Sequence, residues 1–124
     1  MPGSNVHTGR QGEEAARDFL KKNGYRILQS NYRTRSGEID IIARDKDTLC
    51  FVEVKTRNSQ AFGSPCEAVM ESKQRTISFV AAYYLKEHNL LDTKARFDIV
   101  SVVRESGQAR CELIKNAFEF LYDD

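Results

Sequence analysis

The chain has little of what most readily betrays a function. Its 124 residues hold two histidines, three cysteines, two prolines and no tryptophan. The histidines, His7 and His88, are far apart in the chain and far from the acidic motifs described below, so chemistry centred on histidine is not expected. Cys50, Cys66 and Cys111 are widely spaced and odd in number, which points to reduced thiols in a cytoplasmic protein rather than a disulfide framework or a zinc site. No apolar run exceeds a few residues, so no membrane span is expected. Met1-Pro2-Gly3-Ser4-Asn5 is polar, and no signal peptide is expected. Repeats and low-complexity tracts are absent. The net charge is only +1, so bulk charge does not announce a nucleic-acid binder. The halves differ, however. Residues 1–57 carry 11 Lys/Arg against 8 Asp/Glu, or +3, and residues 58–124 carry 8 against 10, or −2. Acids in the first half that held a cation would leave a more positive surface around them.

What is present is one ordinary domain's worth of chain, 40% hydrophobic and 30% charged. Residues 1–8 are expected to be a disordered leader, with a single domain over 9–124. Ala15, Ala16, Phe19 and Leu20 form one stripe of a helix over 9–23, closed by Asn23-Gly24. Strands are expected over 25–32, 38–44 and 49–57, the last two joined by the polar loop 45–48. After a loop broken by Gly63 and Pro65, the longest helix is expected over 66–88. Strands at 95–104 and 109–114 and a short terminal helix at 116–121 follow. The order is α-β-β-β-α-β-β, an α/β protein.

The chemistry lies in Gly37-Glu38-Ile39-Asp40-Ile41-Ile42-Ala43 and Phe51-Val52-Glu53-Val54-Lys55. Charges rarely sit inside strand-like runs unless they are paired or bind something. As a hairpin, these segments place Ile39, Ile41 and Ala43 opposite Val54, Val52 and Cys50 on one apolar face. The other face then carries Glu38 opposite Lys55, Asp40 opposite Glu53 and Ile42 opposite Phe51. A one-residue slip would mix charges with core residues. Opposed like charges destabilise by up to about 1 kcal/mol, and a shared divalent cation removes the conflict. Asp40, Glu53 and the backbone carbonyl of Val54 are therefore candidate ligands for Mg²⁺ or Mn²⁺, with Lys55 beside them to orient water or stabilise charge. This set suits phosphodiester hydrolysis. A solvated hairpin with ordinary surface charges is the competing account.

Asp40 followed by Glu53-Val54-Lys55 across a hairpin resembles the PD-(D/E)xK nuclease superfamily, which implies the restriction-endonuclease-like fold, a central mixed β-sheet flanked by helices. Ile39 stands where that pattern often has proline. Gly12-Glu13 with Ala16, Asn31-Tyr32-Arg33, Gly37-Glu38-Ile39-Asp40, residues 51–57, Phe62-Gly63, Lys73-Gln74 and Arg96-Phe97-Asp98-Ile99-Val100 resemble the YraN-like family of uncharacterised bacterial proteins, which is similar to Holliday junction resolvases. The resemblance implies a further catalytic acid on the first helix. Glu13 in Glu-x-x-Ala is favoured over the adjacent Glu14. It also implies action on DNA, branched or structured DNA included, and a homodimer, because cutting two strands of a junction needs two active sites.

Arg33, Arg35 and Arg57 flank the hairpin ends as candidate phosphate contacts, and Lys73 is a candidate cation at the site edge. Asp98 is expected to pair with Arg96 for structure. Tyr32 and Phe62 are candidates for stacking on bases, or for packing. The expected activity is a metal-dependent endonuclease. The competitors are a nucleic-acid-binding module that does not cut and an accessory protein acting through protein contacts.

Overall fold

The computed structural model describes residues 2–58 and 71–120, with side chains over 11–57 and 72–120. Helix α1 (Pro2–Lys22) is followed by strands β1 (Arg26–Thr34), β2 (Gly37–Asp45) and β3 (Thr48–Asn58), helix α2 (Glu71–Glu87), and strands β4 (Ala95–Glu105) and β5 (Gln108–Phe118). The expected α-β-β-β-α-β-β order is the observed one. The five strands form one mixed sheet in chain order, antiparallel except for the parallel pair β3–β4. With one helix on each face, this is the α/β layering of the restriction-endonuclease-like fold. No helix is long and apolar enough to cross a membrane among the described residues.

Helix α1 starts at Pro2 and so runs through residues 2–8, where a disordered leader was expected. Proline suits a helix start because its missing N–H has no partner there in any case. The helix ends as the Asn23-Gly24 signal predicts. Gly24 takes φ +88°, its N–H donates to Lys21 O at 3.1 Å, and Tyr25 N–H donates to Leu20 O at 2.9 Å, a Schellman closure. Helix α2 begins within the described residues at Glu71. Its expected start at Cys66, and Phe62, lie outside them.

Both faces of the sheet are buried, and each takes a different set of side chains. Toward α1, Ile41, Ala43, Cys50, Val52, Val100 and Val102 pack with Ala16, Leu20 and Tyr25. Toward α2, Ile39, Ile42, Phe51, Phe97 and Ile99 pack with residues of α2 such as Ile77, Val80 and Tyr84. The central strands are therefore apolar on successive residues rather than alternately, as is usual for strands covered on both sides. Tyr32 belongs to this second core, edge-on to Tyr84 at 5.1 Å with its hydroxyl donating to Glu87 at 3.3 Å, so its role is packing rather than base stacking.

Two expectations are corrected. No terminal helix forms at 116–121 in the described part of that segment. Instead β5 continues to Phe118, because tertiary contacts outweigh local propensity. Asn116 takes φ 52° and its N–H donates to Asp98 Oδ1 at 2.9 Å, while Phe118 stacks on Phe97 at 4.7 Å. The second correction concerns Ile39. It packs on the α2 side although Ile41, of the same parity, packs on the α1 side. The alternation is interrupted between them, opposite Asn31, which takes φ 54° within β1. Asparagine is among the few residues that occupy this left-handed region readily.

Asp98 is fully buried and fully paired, as expected. Its carboxylate accepts from Arg96 Nε at 3.0 Å, from the Tyr25 hydroxyl at 2.9 Å and from Asn116 N–H. Arg96 in turn reaches Asp45 at 2.7 Å. Asp98→Ala strands three donors in the interior, and urea unfolding should show a loss of about 3–5 kcal/mol. A loss below ~1 kcal/mol would contradict this account. Where α1 crosses β3, a Cβ at Gly12 would stand 3.2 Å from Thr56 Cβ and closer still to Thr56 Oγ1. Gly12→Ala should therefore destabilise by about 1–3 kcal/mol despite alanine's better helix propensity. Adding Thr56→Ala should recover most of the loss; a stabilised single variant would contradict the close approach.

Candidate functional site

The hairpin register predicted from parity holds from Asp45–Thr48 to Ile41–Val52. There the ladder stops, so the expected direct opposition of Asp40 and Glu53 does not form as a ladder pair. The next hydrogen-bonding position on β3 is Val54, and its N–H donates to the Asp40 side chain, Oδ2, at 2.9 Å. Within an antiparallel strand, one residue's N–H and C=O point to the same side. The Val54 carbonyl thus faces the gap that opens between β2 and β3 beyond Ile41.

Glu53 and Lys55 share the α2 face of β3 with Phe51, by strand alternation. Glu53 is buried, and its Oε1 has no hydrogen-bond donor among the described residues. Its Oε2 lies 3.8 Å from Lys73 Nζ, a loose ion pair supplied by the first turn of α2. Burial pushes the Glu53 carboxyl up to about 8, and the charge of Asp40 pushes in the same direction, against the pull of Lys73 and Lys55. Asp40 rises to about 6, chiefly by burial. The Val54 hydrogen bond opposes the rise, and the charges of Glu13 and Glu38 add to it.

Glu13 comes from α1 to the edge of this pair, near enough for its charge to act on Asp40. Its Oε1 accepts from Asn31 Nδ2 at 2.9 Å, and Asn31 Nδ2 also donates to Glu38 Oε1 at 2.9 Å. Glu14 is exposed. Among the described residues, no three His, Cys, Asp or Glu side chains form a metal cage by themselves. What the structure brings together is two carboxylates, the Val54 backbone beside them and two lysines. That set fits Mg²⁺ or Mn²⁺, hard cations that keep several waters and need only one or two protein carboxylates. It does not fit a thiophilic metal.

The arginines spread more widely. Arg33 pairs with Glu38 at 3.4 Å and Arg35 is exposed on the β1–β2 turn. Arg57 lies two residues beyond Lys55 on β3, beside Val103 of β4. Asn31 was not singled out from sequence as a site residue, although its position in Asn31-Tyr32-Arg33 was noted. The missed signal was an asparagine inside a strand, a residue type depleted there unless the backbone or a partner needs it. Ser101, beside Lys55 in the parallel pairing, was also missed. Its hydroxyl is buried without a partner among the described residues.

Residues 12–102, from Gly12 through most of β4, match the sequence model described as "Uncharacterised protein family UPF0102". The chain belongs to that family. The UPF0102 stretch contains Glu13, Asn31, Asp40, Glu53, Lys55 and Lys73. A UPF0102 protein of Syntrophus aciditrophicus is 51% identical over 118 residues, covering 95% of this chain and 93% of the relative. One from Desulfosudis oleivorans is 52% identical over 111 residues, covering 90% and 89%. One from Geobacter metallireducens is 46% identical over 118 residues, covering 95% and 97%. This is the YraN-like family whose resemblance the motifs carry.

The buried acids set a testable pH dependence. Both folded-state values lie above those of an unfolded chain, so the folded state holds protons that the unfolded state releases. Their contribution is present in full below about pH 4 and is lost as pH rises through 6 to 8. In chelator, the wild-type melting temperature should fall between pH 5 and 8.5. Glu53→Gln should flatten that fall by on the order of 5–10 °C. Millimolar Mg²⁺ or Mn²⁺ should restore the wild type at the alkaline end and leave the variant unmoved. Parallel pH curves for the two proteins would refute the assignment.

Proposed function

We propose that this protein is a metal-dependent endonuclease that hydrolyses DNA phosphodiester bonds, branched or structured DNA included. The observation that carries this is the Glu53 carboxylate, buried with one oxygen unpartnered among the described residues, beside a second partly buried acid. Such a group is costly unless a proton or cation joins it. Asp40, Glu53 and the Val54 carbonyl would hold the cation. Bound there, Mg²⁺ or Mn²⁺ would polarise the phosphate and favour ionisation of a water.

The chain's own residues then have separable tasks. Asp40, anchored by Val54 N–H, keeps its second oxygen available. Lys55 stands on the face of Glu53, where its ammonium can orient the attacking water or offset charge gathering on the phosphate. Lys73 balances Glu53 from the opposite element. Glu13, held by Asn31, is placed to accept a hydrogen bond from water at the edge of the pair. Arg33, Arg35 and Arg57 supply phosphate contacts at a distance from the cut. Two copies of the chain would be needed to cut both strands of a junction, so a homodimer belongs to the proposal.

The test is a cleavage panel of single-stranded, duplex, flap and four-way-junction DNA with Mn²⁺, paired with calorimetry. Asp40→Ala should remove metal binding and cleavage together. Lys55→Ala should lower cleavage roughly 100-fold or more and leave metal affinity within about two-fold. Cleavage that survives both substitutions would come from another protein. Binding of DNA with neither metal affinity nor cutting would make this a non-catalytic binding module instead.

A further inference from the structure

Further along α2 from the carboxylates, the β1–β2 turn and α2 line a groove of about 470 Å³, a volume typical of sites that admit small molecules. Arg33, Arg35 and Ser36 form one wall, and Phe79, Tyr83 and Glu87 of α2 form the other. The aromatic wall is unlike the rest of the helix. Tyr84 is buried against Phe51 and Tyr32, whereas Phe79 is 62% exposed and Tyr83 50% exposed. Phe79 and Tyr83 are four residues apart, so they share one face of α2 with about 5–6 Å between their Cβ atoms. Two neighbouring exposed rings rimmed by arginines form a patch that isolated surface hydrophobics do not. Arg35 is exposed and makes no hydrogen bond or ion pair with the described residues, and Arg33, though paired with Glu38, is also exposed. Glu87, the groove's acid, already accepts the Tyr32 hydroxyl.

We propose that this groove binds an unpaired stretch of the DNA strand, with bases stacked on Phe79 and Tyr83 and phosphates against Arg33 and Arg35. The proposal deepens the endonuclease reading and rests on it. Aromatic side chains stack only on bases freed from a duplex, and aromatics lining a basic groove are how single strands are held without sequence preference. The charge of the wall opposite the rings selects a polyanion over a second apolar surface. Position along α2 gives the distance to the carboxylates. Lys73 lies at Glu53, and Phe79 and Tyr83 follow six and ten residues later. At 1.5 Å per helical residue this is about 9–15 Å. Stacked bases advance 3.4 Å along a strand, so the rings meet bases about three to four nucleotides from the cut. The substrate class is therefore DNA whose strand becomes unpaired within a few nucleotides of the scissile bond, as at a flap or a branch, rather than continuous duplex.

Fluorescence anisotropy in chelator tests the groove with no cutting in play. The probes are a labelled oligothymidylate of about 12 nucleotides and a duplex of equal length. Phe79→Ala and Tyr83→Ala should each weaken single-strand binding roughly ten-fold, and duplex binding should change less than two-fold. Arg35→Ala should weaken binding a few-fold and make its salt dependence shallower. All three positions are exposed, and thermal melts of each variant verify the fold. Single-strand affinity unchanged in the Phe79→Ala/Tyr83→Ala double variant overturns the proposal. So does a double variant that turns a dimer into a monomer in sedimentation with the same single-strand affinity, which would make this face a contact between copies. Flap cleavage run in parallel separates the two claims. Cutting that needs Asp40 but not the rings defeats the groove alone. Ring-dependent binding without any metal-dependent cutting supports the groove and defeats the nuclease.

Discussion

The hydrogen bond from Val54 N–H to the Asp40 carboxylate decides how the rest of the site is built. It falls where the next rung of the β2–β3 ladder would form, one step past Ile41–Val52. A side chain takes the place of a backbone carbonyl there, so the strands part without leaving the Val54 amide unpaired. Three things follow from that single substitution. Asp40 is fixed beside Glu53, the β2–β3 pairing ends at Ile41–Val52, and the opening between the strands admits groups from both helices. Glu13 approaches from α1 and Lys73 from α2, each at an edge of the same opening.

Among the described residues, two buried acids are handled in opposite ways. Asp98 is saturated by Arg96, Tyr25 and the Asn116 amide, and its neighbours extend the network to Asp45. Glu53 is nearly as enclosed, but one of its oxygens has no donor among the described residues and it lies beside another acid. A fold that can satisfy Asp98 so completely has the means to satisfy Glu53. The oxygen of Glu53 left without a donor among the described residues is the observation on which the proposed metal site rests.

Much of this was legible in the linear order of residues. Alternation in 41–45 and 48–52 has only one register that keeps apolar side chains together, and Asn23-Gly24 marks a helix end by a mechanism that needs no tertiary contact. The acids and lysine were conspicuous for standing in apolar strands. What escaped depends on contacts between distant segments. The turn of the chain at Asn31 sends Ile39 to the opposite face from Ile41, and nothing in the spacing of the isoleucines reveals it. The last strand was mistaken in part for a helix because its tail is held by Asp98 and Phe97, some twenty residues earlier. Asn31 itself looked like an ordinary strand residue until Glu13 and Glu38 were seen on either side of it.

The parallel pairing of β3 with β4 has a consequence in time rather than in space. Every acid and lysine assigned to the site is synthesised by residue 73, but the strand that closes the far side of β3 begins only at Ala95. Until that strand arrives, Glu53 sits on the border of an incomplete sheet, without the part of its burial that β4 supplies. An emerging or truncated chain thus carries all the candidate ligands without the enclosure that strains them. The surroundings of Glu53 are therefore complete only once β4 has paired with β3.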